Sequence, residues 1–263
     1  MNKQSNCQVL WTNHDSLVVL GFNAVMVLPW LLTVILGNAF SAKAINKIAE
    51  SGNLIPASFW AFSLLPMVLV LGLIFNRKKQ VGCSVKALLG LPSKEQIFQT
   101  VQIGMLGGFS LFFVGFFLLQ FWSSFLVKYG VEAPRQYIVE LLRNSNVPAW
   151  QMCCVGIIVV ILAPIVEEIL YRGILYERIK STNSKFVAIL LTSAFFAVIH
   201  TNLFALPGVF LVGIGLNLIY ETRLVGDREL SCYSGKVGLL GSMVAHLTFN
   251  LLNFLMTISV FKM

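Results

Sequence analysis

Long apolar segments recur along almost the whole chain, and short polar connections separate them. A helix needs about 20 apolar residues to cross the hydrocarbon core of a bilayer. About six to eight such helices would therefore use nearly all of the 263 residues. Only 11% of the residues are charged, whereas a soluble domain has roughly 25% and needs them for its surface. The sequence predicts an all-α, polytopic transmembrane helical bundle of about seven to eight helices.

The apolar segments predict seven membrane helices. They cover approximately residues 17–40, 55–75, 95–127, 148–180, 184–201, 204–221 and 237–260. In the polar stretch 128–147, charged and apolar residues alternate, which predicts a short helix at the membrane interface. Pro164 lies inside the fourth helix and is expected to interrupt or kink it.

The basic residues indicate orientation in a membrane and contact with anionic lipid. The net charge is +8, and the connection 76–94 carries five basic residues and no acid. Such loops stay on the cytoplasmic side, so seven helices would place the amino terminus inside and the carboxyl terminus outside. Basic residues do not alternate with aromatic ones in a stripe, so we expect no nucleic-acid partner.

Two adjacent glutamates lie in the fourth apolar segment, where an ionised group costs at least ~2.5–3.5 kcal/mol. Glu168 and Arg172 are four residues apart in the favourable order for an ion pair on one helix face. Glu167 points about 100° away from Glu168 around the helix and has no evident local partner. Glu167 is therefore the stronger candidate for a functional group.

The other polar candidates lie on two further helices. His200 ends the fifth helix, and His246 and Asn250 share one face of the seventh. Together with Glu167 they predict a polar cavity inside the membrane, in which a carboxylate and an imidazole activate water. His200 is expected near the outer end of its helix and Glu167 nearer mid-helix. The two meet only if the fourth helix breaks, the fifth tilts, or the helix limits shift.

Other functions use the same residue types. One glutamate and two histidines are a reasonable zinc ligand set, although the sequence lacks HExxH. A transporter or proton-coupled channel also uses intramembrane Glu and His as relay groups, but inverted repeats and paired broken helices are not evident. A non-catalytic protein of the bacteriocin-immunity type is the third alternative.

Three motifs occur in chain order: Glu167-Glu168-x-x-x-Arg172, Phe196-x-x-x-His200 and His246-x-x-x-Asn250. They resemble the motifs of the CAAX-protease and bacteriocin-processing family, also called the CPBP or Abi family, whose members are intramembrane endopeptidases. The similar region runs from about residue 148 to about residue 253. The resemblance implies one integral membrane domain, in which residues 1–147 form N-terminal membrane helices and an interfacial segment and 148–263 the catalytic helices.

The resemblance also implies roles for individual residues. Catalytic roles fall to Glu167, His200, His246 and Asn250, and supporting roles to Glu168 and Arg172. Glu167 would activate the attacking water with help from His200, while His246 and Asn250 would stabilise the oxyanion or orient the substrate. The family leaves open whether a divalent metal such as zinc takes part. The implied partner is a membrane-embedded or lipid-modified peptide or protein, and the implied location is a bacterial inner membrane.

Overall fold

A computed structural model describes residues 11–36, 57–82, 84–89, 91–131, 148–200, 202–222, 224 and 237–261. Within these ranges the regular structure is helical, and no strand occurs. The helices are α1 (Asn13–Leu36), α2 (Ala57–Val81), α3 (Val85–Leu88), α4 (Lys94–Lys128), α5 (Ala149–Lys180), α6 (Lys185–Ile199), α7 (Leu206–Glu221) and α8 (Gly238–Phe261). The predicted interfacial helix at 128–147 lies almost wholly outside the described residues.

The outer surface of the bundle is apolar. Three of the described helices are long and apolar enough to cross a membrane, namely Lys94–Lys128, Ala149–Lys180 and Gly238–Ser259. On α4, Phe113, Phe117 and Phe121 follow one another at four-residue spacing and are all exposed. Large aromatic side chains in such a row face lipid rather than water. The fold is an all-α helical membrane bundle, as predicted.

Of the interruption or kink expected at Pro164, the interruption does not occur, because α5 continues through this residue. The segment Ile158–Leu162, just before the proline, is a π-helical turn, and the N–H of Ala163 donates to the Ile158 carbonyl five residues earlier. A proline inside a helix lacks an N–H and clashes with the preceding turn. The wider π turn accommodates it, so α5 remains one continuous helix.

Glycines on α4 let α8 approach closely. A β-carbon added to Gly104 would lie 2.7 Å from the Gly241 carbonyl oxygen, and one added to Gly108 would lie 2.5 Å from that of Ala245. Both distances are too short for a real side chain, so only glycine permits this contact, as in other membrane helix pairs. Because α8 carries His246 and Asn250, the contact fixes the position of two candidate site residues.

Candidate active site

The ion pair predicted on α5 is present and fully buried. Arg172 Nη1 donates to Glu168 Oε1 at 2.9 Å, and both side chains have 0% exposure. Arg172 Nη2 donates to the Gly213 carbonyl on α7 at 3.2 Å. A buried ion pair tolerates its desolvation only when further hydrogen bonds accompany it. This pair therefore links α5 to α7 and holds the Glu168 carboxylate in one position.

His246 lies between the two glutamates. Its Nδ1 is 2.9 Å from Glu168 Oε1, and its Nε2 is 3.7 Å from Glu167 Oε2. A carboxylate paired with Arg172 is an acceptor, so Nδ1 carries the hydrogen. Nε2 faces Glu167 on the other side of the ring, so the imidazole bridges the two carboxylates. Glu168 thus has His246 as a partner as well as Arg172, where the sequence predicted Arg172 alone.

His200 occupies the position after the last residue of α6. Its Nδ1 lies 2.7 Å from the Phe196 carbonyl oxygen one turn earlier. Because a carbonyl only accepts, Nδ1 is again the protonated nitrogen, and Nε2 is left as the basic atom. The side chain is exposed and lines the cavities that Glu167 also lines.

The chain brings Glu167 and His200 to the same depth without a break in α5. Glu167 lies 14 residues before Ser181, and His200 lies 16 residues after Ser184, on the two arms of one helical hairpin. At a rise of ~1.5 Å per residue, the two positions are roughly 21 and 24 Å from the turn. Counting from the hairpin turn therefore resolves the mismatch expected from the helix ends.

The Phe196 ring packs against the charged and basic groups of the site. Its centroid lies 4.8 Å from that of His200, 5.7 Å from that of His246 and 4.7 Å from the guanidinium carbon of Arg172. The ring is 1% exposed. One buried aromatic side chain on α6 thus holds both imidazoles and adds a cation–π contact to the ion pair.

Two cavities meet at Glu167 and His200. The larger, of about 330 Å³, lies between α5, α6, α7 and α8, and His246 and Asn250 also line it. The smaller, of about 220 Å³, lies between α1, α2, α5 and α6, and Asn23 and Met67 line it. Glu167 and His200 belong to the wall of both. A chain that extended from one cavity into the other would pass directly over these two side chains.

Asn250 contacts the backbone of α5 just before Pro164. Its Nδ2 donates to the Val159 carbonyl at 2.9 Å. In the π-helical pattern, Val159 would accept from the residue five positions later, which is Pro164, and proline has no N–H to give. One amide hydrogen of Asn250 therefore replaces the missing donor. The second hydrogen of the same nitrogen is available to the larger cavity.

Because Asn250 supplies the donor that Pro164 lacks, we expect the effects of these two residues on stability to be coupled. In wild type, Asn250→Leu is expected to destabilise the bundle by ~1–3 kcal/mol, because the Val159 carbonyl loses its partner. In a Pro164→Ala background, residue 164 supplies the N–H and the same change should have a smaller effect. Thermal unfolding of the four proteins in detergent would measure the coupling energy. Strictly additive effects would show that the two residues act independently.

Asn23 is the cavity residue that the sequence analysis missed. It is a buried polar residue, 7% exposed, in the wall of the smaller cavity. The signal was present, since Asn23 lies within the first apolar segment, where an amide is costly unless it is used. The α1 segment offers no motif around it, so the residue was not linked to Glu167.

The glutamate and two histidines considered as a zinc set do not form one. In the described part of the chain, no group of three or more His, Cys, Asp or Glu side chains is arranged to hold a metal ion. His246 directs Nδ1 to Glu168, and Glu168 is shared with Arg172.

Comparison with known families agrees with the motifs. Residues 148–252 match the family model described as type II CAAX prenyl endopeptidase Rce1-like. No curated protein and no solved structure matches the chain. The matched range contains both glutamates, Arg172, both histidines of the site and Asn250. Residues 148–252, which carry the three motifs, are therefore similar to the Rce1-like type II CAAX prenyl endopeptidase family, in agreement with the resemblance that the motifs indicate.

Proposed function

We propose that this protein is an intramembrane endopeptidase that hydrolyses a peptide bond of a membrane-embedded or lipid-modified protein or peptide. The observation that carries the proposal is the position of Glu167. Its carboxylate lies in the common wall of two cavities, beside exposed His200 and 3.7 Å from Nε2 of His246. A carboxylate in a cavity wall, beside basic groups that can share its proton, is an arrangement suited to a general base for hydrolysis.

In the first step, Glu167 takes a proton from a water molecule whose oxygen attacks the substrate carbonyl carbon. The carbonyl π electrons move to oxygen and give a tetrahedral oxyanion. In the second step the C–N bond breaks, and Glu167 returns the proton to the departing nitrogen, giving a carboxylic acid and an amine. Nε2 of His200 is unprotonated when Nδ1 is bonded to Phe196, so His200 accepts a hydrogen bond from the same water and orients it.

The oxyanion requires donors on the other side of the reacting carbon. The second amide hydrogen of Asn250 is one, since Asn250 lines the larger cavity. His246 lines the same cavity and is held by the contact of its Nδ1 with Glu168, and it stabilises the oxyanion or orients the substrate. Glu168 and Arg172 support the site through this contact and do not touch the reacting atoms.

The wider setting is also part of the proposal. The chain would be a multi-pass protein of a bacterial plasma membrane, oriented by its basic loop at 76–94. Residues 1–147 would form the N-terminal membrane helices and an interfacial segment, and 148–263 the catalytic helices of one integral membrane domain. The partners would be the bilayer and a peptide substrate that reaches the cavities from within it.

Comparison of the membrane and secreted peptides of wild-type and Glu167→Gln cells tests the proposed activity. We expect one or a few uncut precursors to accumulate in the variant and their products to disappear, while the variant protein inserts to the wild-type level. Cells that express Glu95→Gln, which changes an exposed glutamate at the start of α4, should match wild type. Identical peptide profiles in wild-type and Glu167→Gln cells would count against proteolysis.

A further inference from the structure

The wall of the smaller cavity includes Asn23, whose amide nitrogen makes no hydrogen bond within the described part of the protein. Tyr171 Oη donates to Asn23 Oδ1 at 2.9 Å. Asn23 Nδ2 has no hydrogen-bond partner among the described residues, although the atom is buried. In this arrangement the amide oxygen faces Tyr171 on α5. The two N–H groups of Asn23 then have no acceptor among the described residues, and the side chain borders the smaller cavity.

An unused donor in this position calls for an acceptor. A buried amide without a partner is unfavourable, and nearly all such groups in proteins are hydrogen-bonded. The rest of the wall is mostly apolar, with Phe22, Met67 and Leu170 among its side chains. Ligand sites combine an apolar lining with a few polar groups that fix orientation. The smaller cavity has this character, and it ends at Glu167 and His200.

A stretch of peptide meets both requirements of the cavity. Its main-chain carbonyl is an acceptor for Asn23, and its apolar side chains suit the remaining wall. The reacting carbonyl must lie at Glu167, which both cavities share. The substrate then extends to both sides of that point, and one side occupies the smaller cavity. Water satisfies the amide equally well but does not explain the apolar lining.

We propose that Asn23 is a substrate-binding residue, whose Nδ2 donates to a main-chain carbonyl of an apolar substrate segment held in the cavity between α1, α2, α5 and α6. This inference rests on the proposed endopeptidase function and adds a contact from outside residues 148–252. The hydrolytic groups come from the matched domain, whereas the N-terminal helices select the peptide.

The test uses the full-length protein in detergent and an internally quenched peptide, built on the sequence that accumulates uncut in Glu167→Gln cells. Asn23→Leu removes the donor. Asn23→Asp, assayed at a pH at which the new carboxyl is ionised, keeps the acceptor for Tyr171 but also removes the donor. We expect both to raise KM by about threefold to tenfold, the loss of one hydrogen bond, with a smaller change in kcat. Asn253→Leu, at an asparagine of α8 that donates to its own helix, should leave KM at the wild-type value.

Tyr171→Phe separates binding from structure. It removes the same Tyr171–Asn23 hydrogen bond as Asn23→Leu but leaves the amide donor in the cavity. A larger rise in KM for Asn23→Leu than for Tyr171→Phe supports the proposal. Equal rises would show that Asn23 serves only to hold Tyr171, and an unchanged KM in Asn23→Leu or Asn23→Asp would overturn it. If wild type itself does not cleave the peptide, it is the proposed activity that fails.

Discussion

Purified Glu167→Gln protein is expected to cleave its peptide at least ~100-fold to 10,000-fold more slowly than wild type, the usual contribution of a general base. Glutamine has nearly the same shape but cannot take the proton of the attacking water. Glu167 has 24% side-chain exposure, so the glutamine amide remains partly accessible and the change should have little effect on stability. Initial rates with an internally quenched peptide would measure the loss of activity, and a thermal melt would measure any change in stability.

The matched control is Glu95→Gln, which changes an exposed glutamate of α4 and should keep the wild-type rate. The Glu167→Gln protein should unfold within a degree or two of wild type, so that its loss of activity is chemical. A variant that melts normally and retains even a tenth of the wild-type rate would remove Glu167 from the role of base.

The helices of this protein were predictable because membrane helices are specified by length and hydropathy alone. Each of the seven predicted apolar segments overlaps a helix in the described residues, and three of these helices are long and apolar enough to cross a membrane. The polar turn at residues 181–184 ends α5 and precedes α6. The continuity of α5 through Pro164 was not predictable, because the local rule considers only the helix that contains the proline. The π turn before it, and Asn250 on α8, compensate for the missing N–H.

The sequence singles out the candidate residues of the site, but it does not give their partners. Polar side chains in apolar segments are rare enough to be noticed singly, and this identified both histidines. Helical spacing identified the pair Glu168 and Arg172. Spacing within a helix gives no information on which residues of another helix lie opposite. The contact of His246 with both glutamates depends on the close packing of α4 and α8 at Gly104 and Gly108.

The proposed role of Asn23 also could not be predicted from the sequence. A single asparagine in an apolar helix is weak evidence for a functional site, since its side chain often only forms a hydrogen bond to a neighbouring helix. Asn23 does accept a hydrogen bond from Tyr171, but its Nδ2 has no partner among the described residues, and its side chain lines the cavity that Glu167 also lines. Only the three-dimensional structure distinguishes the structural contact with Tyr171 from the proposed contact with substrate.

Arg172→Leu is expected to destabilise the protein by ~3–5 kcal/mol, the effect of removing one partner from a buried ion pair. The Glu168 carboxylate would remain, with 0% exposure and no opposite charge, and the Gly213 carbonyl would lose its hydrogen bond from Arg172. Thermal unfolding in detergent would measure the loss. Lys185→Ala, which breaks the ion pair of a 53% exposed lysine with Glu221, should cost only ~0.2–1 kcal/mol.

The double variant Glu168→Leu with Arg172→Leu distinguishes a charge effect from a packing effect. Removal of both charges leaves no uncompensated ion, so the double variant should be more stable than Arg172→Leu alone. Its cleavage rate should stay low, because Nδ1 of His246 would have lost the carboxylate that fixes its protonation. Stability that falls further in the double variant would show that the two side chains matter for volume. Recovery of activity together with stability would show that His246 does not need Glu168.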